Sequence, residues 1–525
     1  MSEGRFMDVR RARLSAMLCC TLLLCAPALL FASQNSGSGP AGIFEGQNDL
    51  GSVTPPGTTA FDPAQQTYTV TAAGDDIWSS VDDFHFVWKK VSGDVSLTAD
   101  MEFPDSTGSP NPHRKAVLMF RQTLDAGGIY VDAAQHGSGM TALQYRRAEG
   151  ADTQDIELDI ASPKRVRIEK RGDTFTMFLS LHGEPLHQVG TSIQLHLDGT
   201  FYAGIGVCSH NTKASDRVIF SHVELTPLTS PAAPAKMALY STLQTIRVAE
   251  RFRSASVVYT TRGRIEAPNW SRDGSYLVFD EDGHLMRIDA KGGAPTQIDT
   301  GAATRCNGSH GFSPDGKWLA ISCSMPDQPK SRVYVIPAAG GTPRVVTENP
   351  NSYFHSWSPD GKTILFTRPA PGGGGNIYAI PAEGGEEHAL TSGSGISDDP
   401  DFSPDGKYIY FNSDRSGGMQ IWRMRADGSH PEQMVFNDLP NWTAHPSPDG
   451  KSVIFFSYEK GVAGHPVNKN IALRILSPES KAVRLLVNLI GGSGTMNVPS
   501  WSPDSSRMAF VSYQMLPEDD RGSSE

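Results

Sequence analysis

A five-residue motif that recurs through the second half of the chain constrains the fold more than any other feature. The sequence Ser-Pro-Asp-Gly-Lys begins at Ser313, Ser358, Ser403 and Ser447, and weaker copies begin at Ser271 and Ser502. These serines are spaced by 42 to 55 residues, with strand-like sequences between them. A period of about 40 to 45 residues is typical of the blades of a β-propeller. Six copies therefore predict six blades.

The motif itself has the composition of a tight turn. Proline fixes the backbone of the second turn position, aspartate bonds to nearby backbone N–H groups, and glycine suits the last position. The motif is therefore predicted to be structural, and functional residues are expected beside it.

The overall charge excludes some classes of function. The chain has 525 residues and a formal net charge of −11. Such a charge argues against general binding to nucleic acid and against a polybasic surface for membranes.

The N-terminus has the pattern of a secretory signal peptide. Arg10, Arg11 and Arg13 precede an apolar run over residues 14–32, and small polar residues follow it. This pattern predicts a signal peptide over residues 1–32, with cleavage after Ala32. The protein is then expected to be periplasmic or secreted, with no stable membrane span after cleavage. An uncleaved membrane anchor is the alternative, because the run is close to spanning length.

Residues 41–228 contain no copy of the motif and show no long helical period. They alternate apolar and polar residues in short runs separated by Gly, Pro, Asp and Asn, for example over residues 95–101, 116–120, 166–169, 174–179 and 201–207. Many short strands of this kind predict a β-sandwich or jelly roll.

Several phrases of this half resemble a concanavalin-A-like, laminin-G-like family of exported bacterial proteins. They are Asp76-Ile-Trp, residues 82–87, residues 92–95, residues 121–127, Tyr145-Arg-Arg and the Gly-Ile-Gly-Val-Cys-Ser-His run that ends at His210. The resemblance implies a sandwich of the kind that often binds glycans. Trp78, Phe84, Phe86 and Trp88 either pack in the core or form a platform for sugar.

Residues 229–236 are rich in proline and alanine and predict a semi-rigid linker. Residues 237–516 then repeat a pattern of four strands per motif, which resembles the WD40-like repeat (PD40) of TolB-type propellers. The last copy provides only two strands before the C-terminal tail, residues 517–525. Strands within residues 243–248 and 256–260 are predicted to complete this blade and close the ring. No Gly-x-Ser-x-Gly motif occurs, which argues against a serine hydrolase.

Candidate site residues are found by counting back from each turn. In a propeller of this type, the residues two to six places before the turn serine are predicted to line one mouth of the channel. The candidate ligand-binding residues are Glu266, Asn307, Tyr353, Asp398, Trp442 and Asn497. His310 and His355 each lie three residues before a turn serine, and the longest loop, residues 459–469, brings His465 to the same side.

The histidines at this position suggest metal chemistry. Imidazole and carboxylate groups together bind divalent ions such as Mn, Zn or Ca. The combination of propeller, export and channel histidines resembles oligogalacturonate lyases. That resemblance implies His310, His355 and His445 as metal ligands, and His310, His355 and His465 as catalytic candidates. The alternative is that these histidines only bond to loop backbone.

Three cysteines remain after the predicted signal peptide. Cys306 and Cys323 fall on neighbouring strands of one blade, nearly opposite each other, and predict a disulfide, whereas Cys208 is expected in the core.

Two functions follow from these observations. The first is a binding or scaffold module that holds a glycan or an envelope or secreted protein at the channel mouth. The second is a metal-dependent, glycan-active enzyme of the polysaccharide lyase type. Whether the protein is an enzyme at all stays open at this stage.

Overall fold

The computed structural model describes residues 40–104, 110–228, 237–248, 255–370, 374–393 and 395–517. Every regular element in these ranges is a β-strand, which confirms the all-β prediction. Across them, no helix has the length and apolar character needed to cross a membrane. The predicted signal peptide and linker lie outside the described residues, as does the tail beyond Pro517.

The first sixteen strands form two large sheets and one small hairpin. In chain order they are β1 (Gly46–Leu50), β2 (Thr58–Asp62), β3 (Thr67–Gly74), β4 (Ile77–Trp78), β5 (Val81–Asp82), β6 (Phe84–Ser92), β7 (Val95–Glu102), β8 (Lys115–Arg121), β9 (Tyr130–His136), β10 (Met140–Arg146), β11 (Gln154–Ala161), β12 (Arg165–Arg171), β13 (Thr174–Ser180), β14 (His187–Gln194), β15 (Thr200–Cys208) and β16 (Asn211–Pro227). The first sheet has the order β1-β6-β15-β8-β9-β10-β11, and the second has the order β14-β13-β12-β7-β16-β3-β2.

The two sheets share one hydrophobic core. Leu118 and Phe120 of the first sheet belong to the same buried cluster as Leu97, Ile168 and Phe175 of the second. The alternation of side chains along β13 explains this, because every second residue is buried. This part of the chain is therefore built from two layers of sheet.

The other face of the first sheet carries a buried ionic cluster. Asp82 accepts bonds from Arg146 at 2.6 Å and from Arg121 at 3.3 Å, and all three side chains are fully buried. A buried charge requires such partners. Val117 and Met119 of β8 lie in a second buried apolar cluster, so this strand is buried along its whole length, which alternation alone does not predict.

The remaining strands belong to the repeats. They are β17 (Met237–Arg247), β18 (Ala255–Thr261), β19 (Ile265–Trp270), β20 (Tyr276–Glu281), β21 (His284–Asp289), β22 (Thr296–Gln297), β23 (Arg305–Phe312), β24 (Trp318–Met325), β25 (Gln328–Pro337), β26 (Arg344–Val345), β27 (Tyr353–Trp357), β28 (Thr363–Pro369), β29 (Gly375–Pro381), β30 (His388–Ala389), β31 (Ser397–Phe402), β32 (Tyr408–Ser413), β33 (Gln420–Arg425), β34 (Glu432–Gln433), β35 (Asn441–Pro446), β36 (Val453–Tyr458), β37 (Lys469–Leu476), β38 (Val483–Gly491) and β39 (Arg507–Pro517). Strands β19 to β38 form five consecutive four-stranded antiparallel sheets.

The recurring motif forms the turn between the first and second strands of each sheet. Ser313 donates its hydroxyl to Asp315 at 2.6 Å, and the same aspartate accepts the N–H of Lys317 at 3.1 Å. Gly316 has a φ of +70°, a conformation that glycine adopts without strain. The turn is closed by its own side chains, so the motif is structural in the described repeats.

The described residues form five separate four-stranded blades, so the prediction of six is not reproduced as six separate sheets. β39 pairs with β17 from Met237–Pro517 to Arg247–Arg507, and β17 pairs with β18. The two ends of the repeat region are therefore joined, as the sequence predicts. This three-stranded unit also continues the first sheet through a single bridge between Leu158 and Ala255, and that continuity is why it is not a separate sheet.

A disulfide joins the first two strands of the second blade. Cys306 and Cys323 are direct partners in the β23–β24 ladder, and their sulfur atoms are bonded at 2.09 Å. The pairing is the one that the sequence predicts, and Cys208 is free and buried.

Candidate functional site

The first strand of each four-stranded blade is irregular at the same place. The pairing of β19, β23, β27, β31 and β35 with the next strand shifts register between two and seven residues before the turn serine. Ala267, Asp399 and Thr443 adopt positive φ angles of 54°, 49° and 52° at this point. A bulge of this kind changes the direction of neighbouring side chains. The bulges therefore allow side chains from the first strands of neighbouring blades to contact each other.

One histidine and two aspartates come together at the bulges of β27 and β31. The His355 Nε2 atom lies 3.4 Å from an Asp398 oxygen and 2.9 Å from the Thr367 hydroxyl. The Nδ1 atom lies 3.3 Å from an Asp399 oxygen. His355 and Asp399 are buried, whereas Asp398 is partly exposed. We refer to His355, Asp398 and Asp399 as the His355 cluster.

The electrostatics of the His355 cluster are coupled. Burial disfavours a charged imidazole, but the bond to Asp398 and the charge of Asp399 raise the His355 pKa above its ordinary value. Burial opposes ionisation of Asp398, yet the bond to His355 lowers the Asp398 pKa to about 2. Burial and the charge of Asp398 raise the Asp399 pKa to about 7. The cluster therefore contains an ion pair beside an acid that exchanges its proton near neutral pH.

The donor atoms of the His355 cluster fit a divalent cation. One atom from each of the three residues lies within 4.8 Å of the other two. Within the described residues, His355 Nδ1 and Asp399 Oδ2 are buried and lack a hydrogen-bond partner. An imidazole with two carboxylates is a donor set that suits Zn or Mn.

His465 lies close to this cluster and is held by aromatic rings. Its ring stacks on Trp442 with centroids 4.5 Å apart and planes 4° apart, and it also contacts Phe456 and Tyr458. Burial lowers the His465 pKa to about 4. The charge of Asp398 opposes this shift, and the charge of His355 adds to it. Its Nε2 atom lacks a partner in the described part of the chain. His465 is therefore a neutral imidazole with a free nitrogen.

His445 is placed differently from its predicted role as a metal ligand. Its Nδ1 atom contacts Asp401 at 3.1 Å, and its Nε2 atom contacts the Met496 carbonyl at 3.2 Å. Both ring nitrogens are thus engaged by protein groups. Burial raises the pKa of Asp401, and the bond to His445 opposes that rise.

His310 is separate from the His355 cluster. It is buried, its Nε2 atom lies 3.4 Å from the Val278 carbonyl, and burial lowers its pKa to about 4. Within the described residues, the group that could hold a metal contains His355 but neither His310 nor His445. The three predicted histidine ligands are therefore not brought together as one set.

The other predicted site residues mostly bond to their own surroundings. Glu266 pairs with Arg264, Asn307 donates to Ser331 at 3.1 Å, and Asn497 accepts the Gly494 N–H at 3.0 Å. Tyr353 begins β27 and is partly exposed. Beside Glu266, Asp280 is buried with one carboxylate oxygen unpaired in the described structure. Burial raises the Asp280 pKa to about 8, and neighbouring acids, including Glu266, add to the rise.

A cavity lies at the turn end of the first strands of the blades, and the sequence analysis did not predict it. It has a volume of about 240 Å³ and is lined by the residues just before the turn serines, which are Trp270, Phe312, Trp357, Phe402, Pro446 and Trp501. Arg272 stands where other repeats have proline, and it donates to the carbonyls of Phe312 and Ser313. The recurrence of an aromatic residue before the serine was the signal available in the sequence.

Comparison with known proteins agrees with this architecture. The family model "PD40: TolB beta propeller domain" matches residues 355–515. An uncharacterized protein of Agrobacterium fabrum (strain C58) is 45% identical over 264 residues, which cover 50% of this chain and 89% of that protein. The Tol-Pal system protein TolB of Francisella tularensis subsp. holarctica is 31% identical over 176 residues, or 31% of this chain and 39% of TolB.

Likeness to one solved structure supports the same fold. The structure of a putative TolB from Agrobacterium tumefaciens is 42% identical, with a TM-score of 0.51, and the match covers 54% of this chain and 100% of that one. TolB from Acinetobacter baumannii is 18% identical with a TM-score of 0.38, covering 62% of this chain and 79% of TolB. An oligogalacturonate lyase in complex with manganese is 14% identical with a TM-score of 0.33, covering 49% and 75%. The last two likenesses are too low to support an argument about function.

Proposed function

The chain belongs to the family of TolB-like β-propeller proteins, and we propose that it is an exported binding or scaffold module. In this proposal the His355 cluster and His465 lie at the mouth of the propeller channel and hold a glycan or protein partner there. One relative in this family is a Tol-Pal system protein by name. A role in holding other envelope components is consistent with that name.

The observation that carries the proposal is a set of buried polar atoms at one place that make no hydrogen bond within the described residues. Asp399 Oδ2 and His465 Nε2 have no such partner, and His355 Nδ1 contacts an Asp399 oxygen at 3.3 Å without hydrogen-bond geometry. Leaving such atoms unpaired costs stability. A bound partner that supplies donors and acceptors would remove this cost, which is typical of a binding site.

Three finer features complete the proposal. The unit of β17, β18 and β39 would act as the sixth blade, because it links both ends of the repeat region. The two-layered region before it would be a concanavalin-A-like sandwich. The N-terminal sequence pattern supports export to the periplasm or beyond.

Capture of partners by the immobilised mature protein tests the proposal. We would compare the wild type with the His355→Gln/Asp398→Asn double variant, using an envelope extract and a glycan array as sources of partners. Retention of a partner is expected to fall about tenfold or more in the double variant, since two charge-assisted contacts are lost.

The matched control is Lys451→Ala, which changes an exposed side chain in a turn. Thermal unfolding checks that each variant is folded. Equal retention by the double variant, the control and the wild type would exclude a binding role for the His355 cluster.

A second candidate function is a metal-dependent, glycan-active enzyme. The donor set of His355, Asp398 and Asp399 favours it. A divalent cation bound there would act as a Lewis acid toward a substrate oxygen. The chain would itself supply His465, a neutral base with a free Nε2 atom.

Elemental analysis of the purified protein separates the two functions. An enzyme of this kind is expected to bind about one metal ion per chain. The metal should be lost in a His355→Ala variant and kept in a His310→Ala variant, because His310 is apart from the cluster. The absence of metal after incubation with Mn, Zn or Ca would exclude the enzyme and leave the binding module.

A further inference from the structure

A large cleft separates the second sheet from the fifth blade. It has a volume of about 850 Å³ and lies between strands β12–β14 on one side and strands β36–β39 on the other. Clefts between domains with a volume of this order are common sites for ligands. Neither the His355 cluster nor the turn-end cavity includes this space.

The walls of the cleft are fixed by the two sheets. On β13 the residues Thr174, Thr176 and Phe178 point into the cleft, because the alternate residues face the hydrophobic core. Gln188 of β14 links this wall to the opposite one, because its side chain donates to the Asn488 carbonyl of β38 at 2.7 Å. The cleft is therefore formed before any ligand binds.

Arg474 is a cation of this cleft that has no acidic partner among the described residues. It projects from β37, and its Nε atom is buried without an acceptor among the described residues. Burial lowers the pKa of its guanidinium, and no neighbouring carboxylate offsets that effect. A guanidinium in this position is complementary to a carboxylate, with which it forms two parallel hydrogen bonds.

The other cations of the cleft already have acidic partners. Arg171 pairs with Glu169 at 3.3 Å, and Lys460 pairs with Asp438 at 2.6 Å. Since two carboxylates also line the cleft, it does not have the density of positive charge that binds nucleic acid or polyphosphate. Its electrostatics suit a ligand that presents a carboxylate to Arg474.

The remaining lining is rich in amide and hydroxyl groups. Asn468 Oδ1 and Gln514 Oε1 are buried without partners in the described part of the chain. Ser192 and Asn470 add further polar groups, and Phe178, which is partly exposed on the cleft side of β13, adds an aromatic ring. Amides hydrogen-bond to the hydroxyl groups of sugars, and aromatic rings pack on the apolar faces of sugar rings.

We propose that this cleft binds an acidic oligosaccharide and that Arg474 receives the carboxylate of one uronic acid unit. The cleft is adjacent to the proposed partner site, because Tyr458 lines it and also contacts His465 and the Pro466 carbonyl. The binding itself does not depend on the proposed function, and no residue of the His355 cluster takes part.

Calorimetric titration of the full mature protein tests the inference. The probes are a hexuronate oligosaccharide, a neutral oligosaccharide of the same length and a short poly-glutamate peptide. The hexuronate is expected to bind about tenfold or more tightly than the other two probes. The Arg474→Met variant should weaken hexuronate binding by about tenfold or more, while Arg474→Lys, which keeps the charge but loses the pair of parallel hydrogen bonds, should weaken it by a smaller factor.

The controls separate this site from the proposed function. An Asp398→Asn variant should bind hexuronate as the wild type does, since it changes only the His355 cluster. Hexuronate binding that is lost in Asp398→Asn and kept in Arg474→Met would overturn the cleft proposal and leave the proposed function intact. The cleft proposal is also wrong if the wild type does not bind hexuronate, or if the peptide binds more tightly. Arg474→Lys shows whether a loss in Arg474→Met reflects charge rather than folding.

Discussion

The imidazole ring of His465 lies parallel to the indole ring of Trp442, with their centroids 4.5 Å apart. Trp442 belongs to the first strand of the fifth blade, and His465 belongs to the long loop over residues 459–469. The stacking ties this loop to the first strand and places a neutral imidazole near the His355 cluster.

The first prediction concerns the order of this loop. His465→Ala removes the stacking, so the loop is expected to leave its position more often. Trypsin should then cleave faster after Lys460 and Lys469, which flank the histidine. Cleavage is followed by mass spectrometry. His430→Ala serves as the control because His430 is exposed on another blade, and equal rates in both variants would show that stacking does not order the loop.

The second prediction concerns the pH dependence of stability. Asp280 keeps its proton in the folded protein up to about pH 8, whereas an ordinary aspartate has a pKa of 3.8. Between these values unfolding releases a proton, so the free energy of unfolding falls as pH rises. Asp280→Asn retains an acceptor for the Gly283 N–H and should stabilise the protein at about pH 9 by roughly 2 to 5 kcal/mol more than at about pH 5.

Urea denaturation at the two pH values measures this difference. Asp327→Asn is the matched control, because Asp327 is exposed. If Asp280→Asn changes stability equally at both pH values, the carboxyl group of Asp280 is not protonated in the folded protein.

The third prediction concerns the joining of the two ends of the repeats. A chain that ends at residue 506 lacks β39, which pairs along all of β17 and buries Met508, Phe510 and Val511. Exposure of β17 and loss of this core should abolish the cooperative thermal transition of the repeat region. The control ends at Pro517 and keeps every described residue. An unchanged melting profile for the shorter chain would contradict closure by β39.

The fourth prediction concerns the disulfide. Replacement of Cys306 and Cys323 by serine opens a covalent loop and should lower the free energy of unfolding by about 2 to 4 kcal/mol under oxidising conditions. Denaturation with and without reductant measures the effect. Reductant should destabilise the wild type by a similar amount and leave the double variant unchanged. Two free thiols in the oxidised wild-type protein would contradict the pairing.

Local patterns in the sequence predicted the fold in outline because local chemistry controls it. The turn motif closes through Ser313 and Asp315 within five residues, so its recurrence identified the repeats directly. The position of Cys306 opposite Cys323 followed from regular hairpin pairing. The count of separate blades could not be predicted in this way, because β18 joins the first sheet at Leu158. Nothing near Ala255 in the sequence indicates that contact.

The candidate site could be predicted only in part. Counting back from the turns identified His355 and Asp398, yet it placed His310 and His445 in the same group. The bulges decide this point, because each one redirects the side chains of its own strand. The assignment of roles to these residues, and the domain boundaries, stay predictions.

The sequence by itself determined the repeat, its turns, the strands between them and the residues that lie just before each turn. The tertiary structure decided which of those side chains meet and that His445 contacts Asp401. It also decided that Arg474 faces a cleft with no acidic partner within the described part of the chain. The physical reason is the range of the interactions. Turns and hairpins form between residues close in sequence, whereas burial and charge depend on strands that are distant in sequence and adjacent in space.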